Sequence, residues 1–143
     1  DKTLTQLMLL GVNCDHEAMT GEEARLRMEL GLSTSLRYSS IRPDLPDILE
    51  TMLELGTTHF EKVYMTTDGS TPAFHEQGVL DRTIEIALEK GVTEVDAYLM
   101  ASYQAALHYN IDYLYGSIAP GRIAHINFLS SPRHPTPVSV LAK

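Results

Sequence analysis

The chain has 143 residues, a formal net charge of -8 at pH 7 and a single cysteine, Cys14. This length suffices for one domain with a substantial hydrophobic core. The acidic balance argues against nucleic acid and anionic membranes as partners, and one cysteine excludes an intrachain disulfide framework and indicates a cytoplasmic protein. No apolar run approaches the roughly 20 residues of a membrane span, and no signal peptide is evident. Because the first residue is Asp1 and not methionine, we expect a segment of a longer protein.

The first third of the chain alternates a helix, a strand and a second helix. A helix is predicted over residues 3–10, followed by a short buried-type run over residues 11–17 that ends in three polar side chains. Thr20 and Glu23 form a capping-box pattern, which marks the start of a helix. That helix is expected to end at Gly31, because glycine commonly follows the last helical residue.

The middle of the chain continues the alternation. A second strand is predicted over residues 32–37, and apolar side chains at positions i, i+3, i+4, i+7 and i+8 from Leu45 then predict an amphipathic helix. The third strand, over residues 62–67, runs directly into Asp68 and a glycine. A further apolar stripe predicts a helix over residues 79–91.

A last helix is predicted from a cap at Thr93 to about Tyr109, after which the sequence changes character. A Pro-Gly turn precedes an alternating apolar strand that ends near Leu129, and three prolines separate it from a short strand over residues 138–141. We expect this tail to belong to a β structure beside the main fold. The sequence therefore divides into residues 1–115 and residues 116–143.

Strands that alternate with helices predict an α/β fold with a parallel sheet and right-handed crossovers. Three strands cannot close a barrel, which needs about eight, and they would leave two open sheet edges. The simplest interpretation is a portion of a (β/α)8 TIM-type barrel. On such a barrel, ligand-binding and catalytic groups collect at the carboxyl ends of the strands. Asp68 lies there, although an Asp-Gly turn without chemistry is the alternative.

Several motifs carry a resemblance to a known family. Ala-Ser-Tyr-Gln-Ala-Ala at 101–106 and Gly-Ser-Ile-Ala-Pro-Gly-Arg-Ile-Ala at 116–124 resemble the C-terminal signature of the amidohydrolase superfamily. Asn-Cys-Asp-His-Glu at 13–17 and Thr-Thr-Asp-Gly at 66–69, with His-Glu at 75–76, are similar to its adenine deaminase branch. The resemblance covers nearly the whole chain. It implies barrel strands six to eight, followed by the return to a small accessory β-sandwich.

The resemblance also implies an activity and its partners. It implies hydrolytic deamination of adenine to hypoxanthine and ammonia by metal-activated water, in cytoplasmic purine salvage. The cofactor would be a divalent metal, manganese or iron before zinc. The protein would act on a small purine and form a homo-oligomer. The chain by itself is expected to be inactive, since most of the metal ligands of the family are not in it, and to self-associate through its open sheet edges.

The resemblance assigns roles to six residues. Asp68 would be the catalytic proton carrier and a metal ligand, and His16 a second metal ligand or a substrate-facing imidazole; a hydrogen-bonded loop histidine is the alternative for His16. Four further residues are predicted to bind substrate, namely Glu17, Arg37, His75 and Glu76. The alternative for Glu17 is a helix-entry acid. Arg37 could instead orient a neighbouring carboxylate or form a structural ion pair, and a solvated loop is the alternative for His75 and Glu76.

Two positions depart from the family pattern. The sequence has Arg37-Tyr38-Ser39-Ser40 where the branch commonly has Arg-Glu-Gly-Ser, and it has His125 where the superfamily usually has an acid. The Tyr38 difference lies near the expected substrate entrance. It leaves open an amidohydrolase that acts on another purine or a cyclic amide, and a non-catalytic protein with the same fold.

Overall fold

The computed structural model describes residues 2–143, so Asp1 lies outside the described residues. Every helix within this range is too short or too polar to cross a membrane. The elements, in chain order, are α1 (Lys2–Leu9), β1 (Cys14–Asp15), α2 (Gly21–Glu29), β2 (Ser33–Arg37), α3 (Leu45–Glu54), β3 (Val63–Thr66), a 3-10 helix (Pro72–Gln77), α4 (Leu80–Lys90), α5 (Glu94–Ala101), α6 (Tyr103–His108), β4 (Ile126–Phe128) and β5 (Ser139–Leu141).

The first three strands form a parallel sheet in the order β1-β2-β3. Its register pairs Ser35 with Tyr64 and Arg37 with Thr66. Parallel strands joined through helices confirm the predicted α/β class, and the unit is part of a TIM-type barrel. Within the described residues, β1 and β3 pair only with β2, so each has one unpaired edge.

The two faces of the sheet differ in polarity. Leu36, Val63 and Met65 are buried in the hydrophobic core with the helices. Since side chains alternate along a strand, the opposite face carries the register-paired Ser35 and Tyr64 and, one step further, Arg37. In a closed barrel, one face of the sheet covers the interior and the other meets the helices. The polar face is therefore the interior face.

Helices α2 and α3 confirm two local signals of the sequence. The Thr20 hydroxyl accepts a hydrogen bond from the Glu23 backbone N–H at 3.2 Å, and the Glu23 carboxylate accepts one from the Met19 backbone N–H at 2.9 Å. The first bond satisfies a backbone N–H that the helix start leaves unpaired, and the second pairs the N–H of the residue that precedes the N-cap. In α3, four members of the predicted apolar stripe are fully buried, namely Leu45, Ile48, Leu49 and Met52, and the fifth, Leu53, is partly buried against the core.

The single helix predicted from Thr93 to Tyr109 is wrong, because the chain breaks at Ser102. Its backbone angles are φ -138 and ψ -78, and its hydroxyl donates to the Tyr98 carbonyl at 2.6 Å. Beyond the break, α6 packs near the start of β3, where Gln104 accepts from the Lys62 backbone N–H at 3.4 Å. Neither proline nor glycine marks this break in the sequence, so only the packing of α6 decides it.

The tail forms a separate antiparallel sheet of β4 and β5. Three polar contacts join the tail to the helices, and one of them is the ion pair between Arg133 Nε and Glu94 Oε1 at 3.1 Å. The Tyr98 hydroxyl donates to the Pro132 carbonyl at 2.9 Å, and the Thr136 hydroxyl donates to the Asp81 carboxylate at 3.2 Å. The predicted strand near Leu129 is confirmed as β4, although β4 is only three residues long.

The close approach of α2 to α3 yields a prediction. A Cβ on Gly21 would lie 2.5 Å from the Thr51 Cβ and 2.8 Å from backbone atoms of Ile48 and Met52. Backbone atoms cannot move aside cheaply, so Gly21→Ala should lower the free energy of unfolding by about 1–3 kcal/mol. Urea unfolding of the intact protein measures this. The matched control is Gly69→Ala, whose Cβ would meet open space; equal midpoints for the two variants would contradict the tight α2–α3 contact.

Candidate active site

Charged side chains follow each of the three parallel strands at its carboxyl end. Asp15 ends β1 and is followed by His16 and Glu17, Arg37 ends β2, and Asp68 lies two residues after β3. The carboxyl ends of parallel strands meet at one edge, which is where α/β folds bind ligands. The predicted site residues on these strands therefore share one edge of the sheet.

Arg37 is the most buried of these charged residues, with 6% of its side chain exposed. Its Nη1 donates to Glu17 Oε1 at 3.1 Å and its Nη2 donates to Glu17 Oε2 at 3.2 Å. Two parallel hydrogen bonds of this kind fix the geometry of an arginine–carboxylate pair. Nη1 also lies 3.7 Å from Asp68 Oδ2. Arg37 thus links the loop after β1 to the loop after β3.

The Glu17 carboxylate contacts two further side chains. His16 Nε2 lies 3.2 Å from Oε1, and Arg42 Nη2 lies 3.8 Å from Oε2. The helix-entry alternative for Glu17 is wrong, since the acids in the first turn of α2 are Glu22 and Glu23. Glu17 belongs to the charged cluster at the strand ends.

Asp68 occupies a left-handed backbone conformation, with φ 50. Its backbone N–H donates to the Thr66 hydroxyl at 3.1 Å, and its Oδ1 accepts from the Gly69 backbone N–H at 2.8 Å. Aspartate tolerates this conformation better than most residues because its side chain forms such local hydrogen bonds. The turn therefore uses one carboxylate oxygen, while the other faces Arg37 and 44% of the side chain remains exposed.

His16 and Asp68 do not form an ion pair with each other among the described residues; Glu17 and Arg37 lie between them. An imidazole nitrogen and a carboxylate oxygen are suitable donors for a divalent metal. Catalytic metal sites commonly use three protein ligands, and residues 2–143 contain no group of three His, Cys, Asp or Glu side chains that could hold one. The His16 imidazole and the Asp68 carboxylate are suitable ligands for a divalent metal, but they are fewer than the three protein ligands that a catalytic site commonly has.

His75 and Glu76 lie on the 3-10 helix that follows the Asp68 turn. The Phe74 ring packs on Tyr38 with centroids 5.1 Å apart, and His75 Nδ1 is buried without a hydrogen-bond partner in residues 2–143. Glu76 lines a cavity of about 220 Å³ with Tyr38 and Phe74. The ion pairs and hydrogen bonds of the described residues do not bring His75 or Glu76 into the Arg37 cluster.

The loops after β2 and β3 are joined by a reciprocal pair of hydrogen bonds. The Ser40 backbone N–H donates to the Ser70 hydroxyl at 3.1 Å, and the Thr71 backbone N–H donates to the Ser40 hydroxyl at 3.4 Å. The sequence offers no sign of this link, because 30 residues separate the partners. It holds the Asp68 turn beside the end of β2.

Arg27 is a site residue that sequence reasoning missed. It forms an ion pair with Asp15, and both side chains are mostly buried. Burial acts to raise the pKa of the Asp15 carboxyl. The hydrogen bond and charge of Arg27, with backbone N–H groups of Glu17 and His16, outweigh that effect and hold the pKa below its ordinary value of 3.8. Asp15 is therefore a charged anchor for the turn that carries His16 and Glu17.

Comparison with known proteins agrees with this architecture. Residues 5–143 match the model of the amidohydrolase family, so the chain belongs to that family. Amidohydrolases are generally metal-dependent.

Particular relatives are named for one reaction. A Halalkalibacterium halodurans protein provisionally named adenine deaminase is 59% identical over the whole chain, and a Bacillus subtilis protein with the same provisional name is 50% identical over the whole chain. A Methanococcoides burtonii protein named adenine deaminase is 33% identical over 83% of the chain. The chain spans about a quarter of the length of these relatives, with 25% of the first two and 20% of the third.

The Asp15–Arg27 pair yields a pH prediction. Because the folded-state pKa of Asp15 is depressed, the stability it contributes is present above 3.8 and is lost as pH falls through the lower folded value. Asp15→Asn should lower the free energy of unfolding by about 1–3 kcal/mol at neutral pH. The difference from wild type should shrink at acidic pH.

Urea unfolding of the intact protein at a series of pH values measures the effect. Asp112→Asn, in the turn after α6, is the control and should follow wild type throughout. A deficit of Asp15→Asn that stays constant as pH falls would contradict the assignment of Asp15 as a charged anchor.

Proposed function

We propose that the protein containing this chain deaminates adenine hydrolytically to hypoxanthine and ammonia. The observation that supports this most is the cluster at the strand carboxyl ends, where Arg37 joins Glu17 and Asp68 in a chain of the amidohydrolase family. The relatives named adenine deaminase support the choice of substrate. The proposed physiological role is purine salvage.

In this proposal, Asp68 carries the proton. Adding water across C6 of adenine and expelling the amine requires a group that accepts the proton of the attacking water and returns it to the leaving ammonia. The exposed Asp68 carboxylate can reach a substrate at the sheet edge, and the Gly69 N–H and Arg37 orient it. One water is consumed and one ammonia is released, so the proton returns to the products and Asp68 is regenerated.

We further propose that His16 and Asp68 are metal ligands. A divalent metal, when bound, supplies the positive charge that lowers the pKa of a water toward about 7. Mixed imidazole and carboxylate donors suit manganese or iron, and we place these before zinc. Because the described residues lack a third donor, the remaining ligands would come from outside residues 2–143.

The substrate-side residues in this proposal are His75 and Glu76. The cavity beside Glu76 has aromatic walls from Tyr38 and Phe74 and a charged wall from Arg82, which suits a flat, polar heterocycle. Tyr38 is also the observation that favours the second candidate, an amidohydrolase for another purine or a cyclic amide, since its ring shapes this cavity. The non-catalytic alternative rests on the same position, because Tyr38 stands where the family commonly has an acid.

We also propose a two-part organisation, with a partial barrel over residues 1–115 and a segment over residues 116–143 that returns to an accessory β-sandwich. The separate pairing of β4 with β5 supports this division. The resemblance to the family supports homo-oligomer formation by the intact protein, and the lone cysteine supports a cytoplasmic location. Sedimentation velocity of the intact protein tests the oligomer; a monomer would contradict it.

The first test is ammonia release from adenine by the intact protein and its Asp68→Asn variant. Loss of the proton carrier should reduce turnover by about 10²–10⁴-fold or more, with little change in the urea midpoint because the side chain is half exposed. Asp112→Asn is the matched control and should retain full turnover. An Asp68→Asn variant as active as the control would overturn the assignment.

Metal removal is the second test. A chelator should abolish ammonia release from adenine, and manganese or iron added back should restore it. Turnover that persists in metal-free protein would contradict metal activation. If the metal-bound protein does not deaminate adenine but hydrolyses another purine or a cyclic amide, the result would favour the second candidate, an amidohydrolase with that other substrate.

A further inference from the structure

The guanidinium of Arg37 is a buried positive charge, and its surroundings define its role. With only 6% of the side chain exposed, the charge requires partners, because an unpaired charge away from water is strongly disfavoured. Both Nη atoms donate to Glu17, and Nη1 also faces Asp68. Both Nη atoms of Arg37 are therefore engaged by protein carboxylates, Nη1 by two of them and Nη2 by one.

The Glu17 carboxylate extends this contact in the other direction. His16 Nε2 lies 3.2 Å from its Oε1, so a continuous series of contacts runs from His16 through Glu17 and Arg37 to Asp68. The series crosses the ends of β1, β2 and β3. At its far end, Oδ1 of Asp68 is held by the Gly69 N–H, and Arg37 is the side chain that faces Oδ2.

We propose that Arg37 and Glu17 are positioning residues, which set the separation and orientation of His16 and Asp68 without contacting substrate. This inference rests on the proposed function for the roles of those two end residues. It replaces the direct substrate contact predicted from the sequence for Arg37 and Glu17. Residues that orient metal ligands typically change metal affinity or activity by about 10–100-fold when they are replaced.

The chemistry of the pair determines which variants are informative. Arg37→Lys keeps the charge but loses the fork that binds both oxygens of Glu17. Glu17→Gln keeps the shape but loses the charge, and the 55% exposure of Glu17 makes a folded variant the expected outcome. Arg133→Lys is the matched control, since Arg133 also pairs with a carboxylate, that of Glu94 at 3.1 Å, but lies in the tail outside the Arg37 cluster.

The experiment measures manganese affinity by equilibrium dialysis and kcat and KM for adenine, all on the intact protein with folding checked by circular dichroism. Arg37→Lys and Glu17→Gln should each weaken manganese affinity or kcat by about 10–100-fold and leave KM for adenine within about two-fold of wild type. The double variant should lose little more than either single variant, because both changes break one contact. Arg133→Lys should match wild type.

Two results would overturn the inference. An increase in KM with unchanged kcat and unchanged manganese affinity would assign the pair to substrate contact, and manganese affinity and kcat equal to wild type in a folded Glu17→Gln variant would remove any role. If wild type binds manganese but leaves adenine intact, the proposed function fails while the affinity measurements still decide the positioning role. If Arg37→Lys fails to fold, Glu17→Gln decides it.

Discussion

The structure of the sheet edge depends on one constraint, which is the burial of the Arg37 charge. An ionised group in a poorly solvated environment costs several kcal/mol unless carboxylates or other acceptors surround it. Glu17 satisfies this requirement with two hydrogen bonds, and Asp68 adds a second negative charge. The loops after β1 and β3 therefore converge on the end of β2, and the convergence places His16 beside the same cluster.

Contacts with α2 and with the loop after β2 also hold this arrangement in place. The buried Asp15–Arg27 pair attaches the turn after β1 to α2, and the tight contact at Gly21 attaches α2 to α3. On the other side, Ser40 joins the Asp68 turn to the end of β2. These contacts fix the backbone around the cluster, while the exposed oxygens and nitrogens of the cluster remain accessible. A site with this organisation can bind a ligand without losing its geometry.

The same organisation explains what the chain can contribute to an amidohydrolase. Three parallel strands supply one sector of a barrel edge, with donors of the right kind for a divalent metal but fewer than a catalytic site requires. The aromatic contact between Tyr38 and Phe74 gives this sector its own wall beside Glu76. The chain spans about a quarter of the length of the relatives it matches.

Local signals in the sequence determined the capping box at Thr20, the buried stripe of α3, the parallel α/β class and the position of Asp68 at a strand end. The cap, the stripe and the strand end depend on residues a few positions apart, and the α/β class depends on the order in which strands and helices alternate along the chain. The tertiary structure decided the Arg37–Glu17 pair, the Asp15–Arg27 pair and the break at Ser102. The two ion pairs join residues 20 and 12 positions apart, and the break depends on how α6 packs against β3. Register between strands and the packing of helices determine these contacts, and hydrophobic patterning does not encode them.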